Sequence, residues 1–188
     1  IGHTRWATHG EPSEANAHPH RAGKIFLVHN GIIENYKEIK SHLEGFEFQS
    51  ETDSEVLAAL INSFYGDGKY PLVNAVVQAL KLVKGTYGIA VVSELNPEEI
   101  VVARAGSPLV IGVGNGETLI ASDASALVGH TKRAIYLNDG EVATITKDSI
   151  TIKTLNAEPV SAKVEEIETN LSAIQKGGYD HFLLKELM

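Results

Sequence analysis

The chain has 188 residues, 43% apolar and 21% charged, the composition of a folded globular protein of about one domain rather than of a disordered segment. A net charge of −8 opposes non-specific binding to nucleic acid or to an anionic membrane, and no apolar run approaches the ~20 residues of a membrane span. Cysteine is absent, which excludes disulfides, thiolate metal sites and a cysteine nucleophile within these residues.

The only methionine is Met188, and Ile1-Gly2-His3 resembles neither a signal peptide nor a tag, so the sequence reads as a piece of a longer protein. Its first thirty residues hold five of the eight histidines (His3, His9, His18, His20, His29) and the one tryptophan, Trp6. From Thr8 to Gly23 there is no hydrophobic period, and Gly10, Pro12, Asn16 and Pro19 predict a long loop. Ile25-Phe26-Leu27-Val28 predicts a strand buried on both faces that ends at Asn30-Gly31. Ile32, Tyr36, Ile39 and Leu43 predict a helix stopped by Gly45. Thr52-Asp53-Ser54-Glu55 predicts a capping box for a second helix, with Val56, Leu57, Leu60, Ile61 and Phe64 on its buried stripe. Leu72, Val73, Val76, Val77, Leu80 and Val83 predict a third, ending at Gly85.

Seven short β-type runs follow, at 89–92, 100–103, 109–113, 118–121, 134–137, 142–145 and 150–153. Gly114-Asn115-Gly116 and Asn138-Asp139-Gly140 are hairpin signals. Early helices and late strands, without βαβ alternation, predict an α+β fold. Residues 156–176 are polar and weakly patterned, and 179–188 predict a short helix.

Several residues admit both a structural and a chemical reading. Asn30-Gly31 is a common turn dipeptide, but a side-chain amide beside a glycine N–H is also the donor pair an oxyanion hole needs. Arg5 could sit in a structural ion pair with Trp6 in the core, or it could grip a carboxylate while Trp6 serves as a lid surface. Asp53 could cap its helix or hold a ligand ammonium; with Arg5 and Thr8 it would recognise an α-amino-acid zwitterion. The histidines could offer imidazoles to zinc, but H-E-x-x-H is missing and no metal is expected. Gly112-x-Gly114-x-Gly116 lacks the nucleotide-binding fingerprint and reads as a hairpin.

In order, 3–10 (HTRWATHG), Pro12-Ser13-Glu14-x-Asn16-Ala17-His18-Pro19-His20, 28–35 (VHNGIIEN) and 50–55 (SETDSE) closely resemble the glutaminase domains of the glucosamine-6-phosphate synthase family, the isomerising glutamine–fructose-6-phosphate amidotransferases. Residues 106–112 (GSPLVIG) and Ala121-Ser122-Asp123 continue the match. The resemblance implies an N-terminally truncated four-layer αββα sandwich of the N-terminal-nucleophile hydrolase type. It implies an incomplete glutaminase domain over 1–155, with 156–188 an extension and the start of a linker to a sugar-isomerase domain. It implies L-glutamine as substrate and ammonia delivered to fructose 6-phosphate, without a cofactor, in a cytoplasmic enzyme that is a homodimer at full length.

The resemblance also assigns roles. Arg5, with Thr8 and His9, binds the glutamine α-carboxylate; Asp53 anchors the α-amino group; Asn30 and Gly31 form the oxyanion hole; Trp6 and the loop to His20 are the lid. The family's N-terminal cysteine nucleophile is not in this sequence, so the fragment alone is expected to be inactive. Another class II amidotransferase, or a non-catalytic glutamine-binding module, is the alternative. Arg5, Asp53 and the Asn30/Gly31 donors are expected to converge on one pocket sized for glutamine.

Overall fold

The computed structural model describes residues 1–167, so the helix expected at 179–188 lies outside the described residues. The described residues divide into two compact units, 1–109 with 137–162 and 110–136 with 163–167.

The first unit is built on a seven-stranded antiparallel sheet. Its strands are β1 (His20–Ala22), β2 (Ile25–Ile33), β3 (Gly85–Ser93), β4 (Asn96–Ala105), β8 (Glu141–Thr146), β9 (Ile150–Thr154) and β10 (Pro159–Val160), in the order β1-β2-β3-β4-β8-β9-β10. Between β2 and β3 come three helices, α1 (Tyr36–Ser41), α2 (Asp53–Tyr65) and α3 (Leu72–Leu80). Helix α2 packs on β1 and β2, and α3 on β4 and β8. Ile25, Leu27, Ile89, Val91 and Val101 from the sheet meet Leu57, Ile61 and Val76 from the helices in one core. On the opposite face Val28, Ala90, Val102 and Ala143 are buried as well. That is why these strands read as continuous apolar runs rather than alternating ones.

The second unit has a four-stranded sheet. It consists of β5 (Val110–Val113), β6 (Thr118–Ala121), β7 (Arg133–Tyr136) and β11 (Glu165–Glu166), in the order β11-β7-β5-β6. Val110, Leu127, Val128, Ala134 and Ile167 form its core. The turn at Gly114-Asn115-Gly116 joins antiparallel β5 and β6, as its sequence predicts.

Three local expectations are corrected. Asn30-Gly31 is not a turn: β2 runs through it to Ile33, because β3 extends back to Gly85 and supplies a partner for each residue. Ile32 therefore belongs to the strand, and α1 is only the six residues from Tyr36. Asn138-Asp139-Gly140 closes no hairpin, since β7 and β8 lie in different sheets. Asp139 Oδ1 instead accepts from Arg104 Nη2 at 2.8 Å and from the Gly106 N–H at 3.0 Å, fastening the turn to the end of β4. The weakly patterned stretch after 155 also supplies two strands, β10 beside β9 and β11 beside β7.

Candidate active site

Helix α2 sets the site. Thr52 is its N-cap, with Oγ1 accepting the Glu55 N–H at 3.1 Å. A capping box would return the Glu55 carboxylate to the N-cap amide. Here it reaches further back, to the N–H groups of Gln49 (2.8 Å) and Ser50 (2.6 Å) and to Ser50 Oγ (2.6 Å). The loop before the helix is thereby fixed without Asp53. That carboxylate, 3% exposed, turns towards β2, and its Oδ2 accepts the Ile33 N–H at 2.8 Å. Asp53 is neither a cap nor free: it ties helix to strand and leaves Oδ1 3.8 Å from His9 Nδ1.

A cavity of about 230 Å³ opens where the end of β2 meets the start of α2. Arg5, Trp6, Thr8, His9, Asn30, Gly31 and Asp53 all line it, as do His3, His18 and His29, whereas His20 does not. Three separate stretches of chain bring the first seven together. Gly31 has φ +140°, and a Cβ there would lie 2.2 Å from the Thr86 carbonyl oxygen, so only glycine lets β2 approach β3 this closely.

Arg5 has φ +57°, in the left-handed region. Its Nη2 donates to the carbonyls of His9 (2.6 Å) and Gly10 (2.9 Å), and Nη1 to that of Glu11 (3.1 Å). Among the described residues it makes no ion pair, so the guanidinium organises the loop through the main chain. Trp6 is 89% exposed, which removes the core reading for its indole.

The histidines crowd one side. Nδ1 of His3 and Nδ1 of His18 are 3.4 Å apart, and the rings of His18 and His20 meet edge-on at 4.9 Å. Burial, with the nearby His20, His3, His29 and Arg5 adding to it, pulls His18 down to about 3. His3, His20 and His29 are also lowered, chiefly by burial. Among the described residues no group of three or more His, Asp or Glu side chains is arranged to hold a metal ion. Ser54 and Thr86 also line the cavity, although the sequence reading gave them no site role. No sequence signal marks Thr86, whose place at the cavity comes from the pairing of β3 with β2.

A strand end, a helix N-terminus and a loop arginine thus meet around one small cavity on an α+β fold. The chain belongs to the glutamine amidotransferase domain family, whose model matches residues 1–179. Among curated proteins it is 54% identical to the glutamine–fructose-6-phosphate aminotransferase (isomerizing) of Chlorobaculum tepidum, 50% to that of Thermus thermophilus and 48% to that of Methanosarcina acetivorans. Each match covers the whole of this chain but only 31–32% of the relative, so the chain spans about a third of their length.

Among solved structures it is similar to the glutamine phosphoribosylpyrophosphate amidotransferase of B. subtilis, at 28% identity and TM-score 0.68 over 81% of this chain and 34% of that one. A second, the allosteric regulatory enzyme of purine biosynthesis, matches at 29% identity and TM-score 0.65 over 90% of this chain and 35% of that one. These likenesses give the chain the α+β fold of the N-terminal-nucleophile hydrolase amidotransferases.

Proposed function

We propose that the chain is the glutamine-hydrolysing half of an isomerising glutamine–fructose-6-phosphate aminotransferase. It releases ammonia from L-glutamine, and a sugar-isomerase domain of the same protein adds that ammonia to fructose 6-phosphate to make glucosamine 6-phosphate. The observation that carries this reading is the meeting of a cation (Arg5), an anion (Asp53) and a backbone–amide donor pair (Gly31, Asn30) at one cavity of about 230 Å³. That volume lies below the ~300–1,000 Å³ of pockets for drug-sized ligands and suits a single amino acid.

In this reading the α-carboxylate of glutamine sits on Arg5, with Thr8 and His9 beside it, and the α-ammonium on Oδ1 of Asp53. A carboxylate makes stronger hydrogen bonds to guanidinium than a neutral carbonyl does, so it displaces loop carbonyls of residues 9–11 as it binds. The Gly31 N–H and the Asn30 side chain face the carbonyl oxygen of the substrate side chain. A thiol gives up its proton and adds as thiolate to the amide carbon, that oxygen takes up the negative charge, and the C–N bond breaks as the thiol's proton passes to the leaving nitrogen, releasing ammonia. Water then cleaves the thioester to glutamate. These 188 residues contain no cysteine, so the thiol comes from sequence outside them and the 188 residues alone do not turn over glutamine. Trp6, exposed at the cavity edge, is the lid. The full-length enzyme is a cytoplasmic homodimer, held mainly through the isomerase domain, with 156–188 leading towards it.

The test uses the full-length protein and two variants, Arg5→Ala and Asp53→Asn, with glutamine or free ammonia as nitrogen donor. Losing a charged hydrogen-bond partner should raise the KM for glutamine roughly 10- to 100-fold and leave ammonia-dependent synthesis intact. Equal losses with both donors would refute the assignment. Glutamine binding without ammonia release by the wild type would make this a sensing module instead.

A further inference from the structure

The chemistry above gives no task to His29, a polar ring 3% exposed beside the cavity. It points to the helix side of β2, in step with the fully buried Ile25 and Leu27. Its Nδ1 lies 2.9 Å from Ser54 Oγ and its Nε2 3.3 Å from the Thr86 carbonyl oxygen. A carbonyl can only accept, so the ring proton is on Nε2 and Nδ1 accepts the Ser54 hydroxyl. Both nitrogens are thereby committed, and no lone pair is left to take a proton from a substrate or a nucleophile.

The ring joins the three elements that frame the cavity. It stands on β2 immediately before Asn30-Gly31, Ser54 follows Asp53 in the first turn of α2, and Thr86 is the second residue of β3. Nε2 is also 3.0 Å from where a Cβ on residue 31 would stand, so the imidazole folds back against the Gly31 backbone. Ile32 pairs with Thr86, yet the Ile32 N–H goes to Thr86 Oγ1 at 3.3 Å while the Thr86 carbonyl faces the ring. At this register side chains replace part of the ladder, and His29 fixes the turn of the backbone where the oxyanion donors sit.

We propose that His29 is a positioning residue: the Ser54–His29–Thr86 bridge aims the Gly31 N–H and the Asn30 side chain, and the imidazole transfers no proton. This rests on the reading of the cavity as a glutamine site.

The experiment compares wild-type full-length protein with His29→Ala, His29→Gln and Ser54→Ala, measuring kcat and KM for glutamine hydrolysis, the pH–rate profile and ammonia-dependent synthesis. Misaimed donors should lower kcat in His29→Ala on the order of 100-fold, with the KM for glutamine within about threefold of wild type. Glutamine in place of histidine keeps an N–H for the Thr86 carbonyl, so His29→Gln should regain most of kcat with both limbs of the profile in place. Ser54→Ala, the milder change, should lower kcat by roughly tenfold, and it decides the question if His29→Ala loses ammonia-dependent synthesis too. Wild-type kcat in His29→Ala, or in Ser54→Ala where that variant decides, overturns the proposal. So does a loss that His29→Gln fails to recover, or a limb of the pH profile that vanishes with the imidazole. A wild-type protein without glutaminase activity would instead remove the reading beneath it.

Discussion

Gly31→Ala puts the geometry of the cavity under direct test. The new Cβ would stand 2.2 Å from the Thr86 carbonyl oxygen, 2.7 Å from its carbon and 3.0 Å from His29 Nε2. Relieving the first contact alone requires about 1 Å of movement, and misplacement on that scale at a reacting centre costs about 100-fold in rate. The obstacle is backbone, which cannot swing aside as a flexible side chain can. At φ +140° a residue with a Cβ also carries strain of about 1–3 kcal/mol. With m-values of ~1–3 kcal/mol per molar urea, that strain lowers the unfolding midpoint by roughly 1 M. The assays are urea unfolding followed by far-UV circular dichroism and glutamine hydrolysis by the full-length protein. Gly116→Ala is the control, since Gly116 has φ +77° but nothing within 4 Å of its Cβ position. It should lose about 1–2 kcal/mol and no glutaminase rate. A Gly31→Ala protein with the wild-type midpoint and rate would refute the close approach of β2 to β3.

Trp6 is the only tryptophan and 89% exposed, so its fluorescence should be water-like and readily quenched by acrylamide. Saturating glutamine should shift the emission to the blue and protect it, whereas an unchanged spectrum would count against the lid. Glu55→Gln swaps a buried acceptor of three hydrogen bonds for a group that also donates. It should destabilise the fold by about 2–3 kcal/mol in urea melts, and a neutral effect would count against the loop-fixing role. Acidification should also destabilise the protein, because His18, held near 3, and the lowered His3, His20 and His29 are neutral in the fold. Unfolding lets them bind protons below their ordinary 6.5, so stability drops as the pH falls through 6.5, and for His18 the loss continues towards pH 3 with a slope of at most about 1.4 kcal/mol per pH unit. His18→Gln should flatten that slope, and parallel curves for variant and wild type would refute the account.

Periodicity located the elements whose burial is one-sided or complete. The stripe of α2 and the apolar runs of β3, β4, β8 and β9 were legible because packing demands their spacing. The strands that no pattern announced, β1, β10 and β11, are two or three residues long and owe their existence to a neighbour's free edge. Asn30-Gly31 misled as a turn because the dipeptide's local preference is outweighed by nine paired positions between β2 and β3. The chemistry of the side chains and the resemblance of the ordered motifs to the family marked Arg5, Asp53, Asn30 and Gly31. What Asp53 binds could not be read from sequence, since its partner, the Ile33 N–H, lies twenty residues away. Thr86 was invisible for the same reason: nothing in its local sequence says that it faces His29.

The polar side chains around the cavity hold main chain more than they hold each other. Arg5 binds three loop carbonyls, Asp53 an amide of β2, and His29 a carbonyl of β3. The two ends of a bound glutamine therefore meet different mechanics in the proposed reading. At the carboxylate end the ligand competes with loop carbonyls for one guanidinium, so binding and loop movement are the same event. At the ammonium end Oδ1 of Asp53 is engaged while Oδ2 keeps the Ile33 N–H, and β2 does not shift. The oxyanion donors stand on that fixed strand, one and two residues after His29. Adaptation is thus confined to the loop of 3–11, while the donors that must be aimed before the reaction starts rest on paired backbone, the condition under which preorganised dipoles lower a barrier.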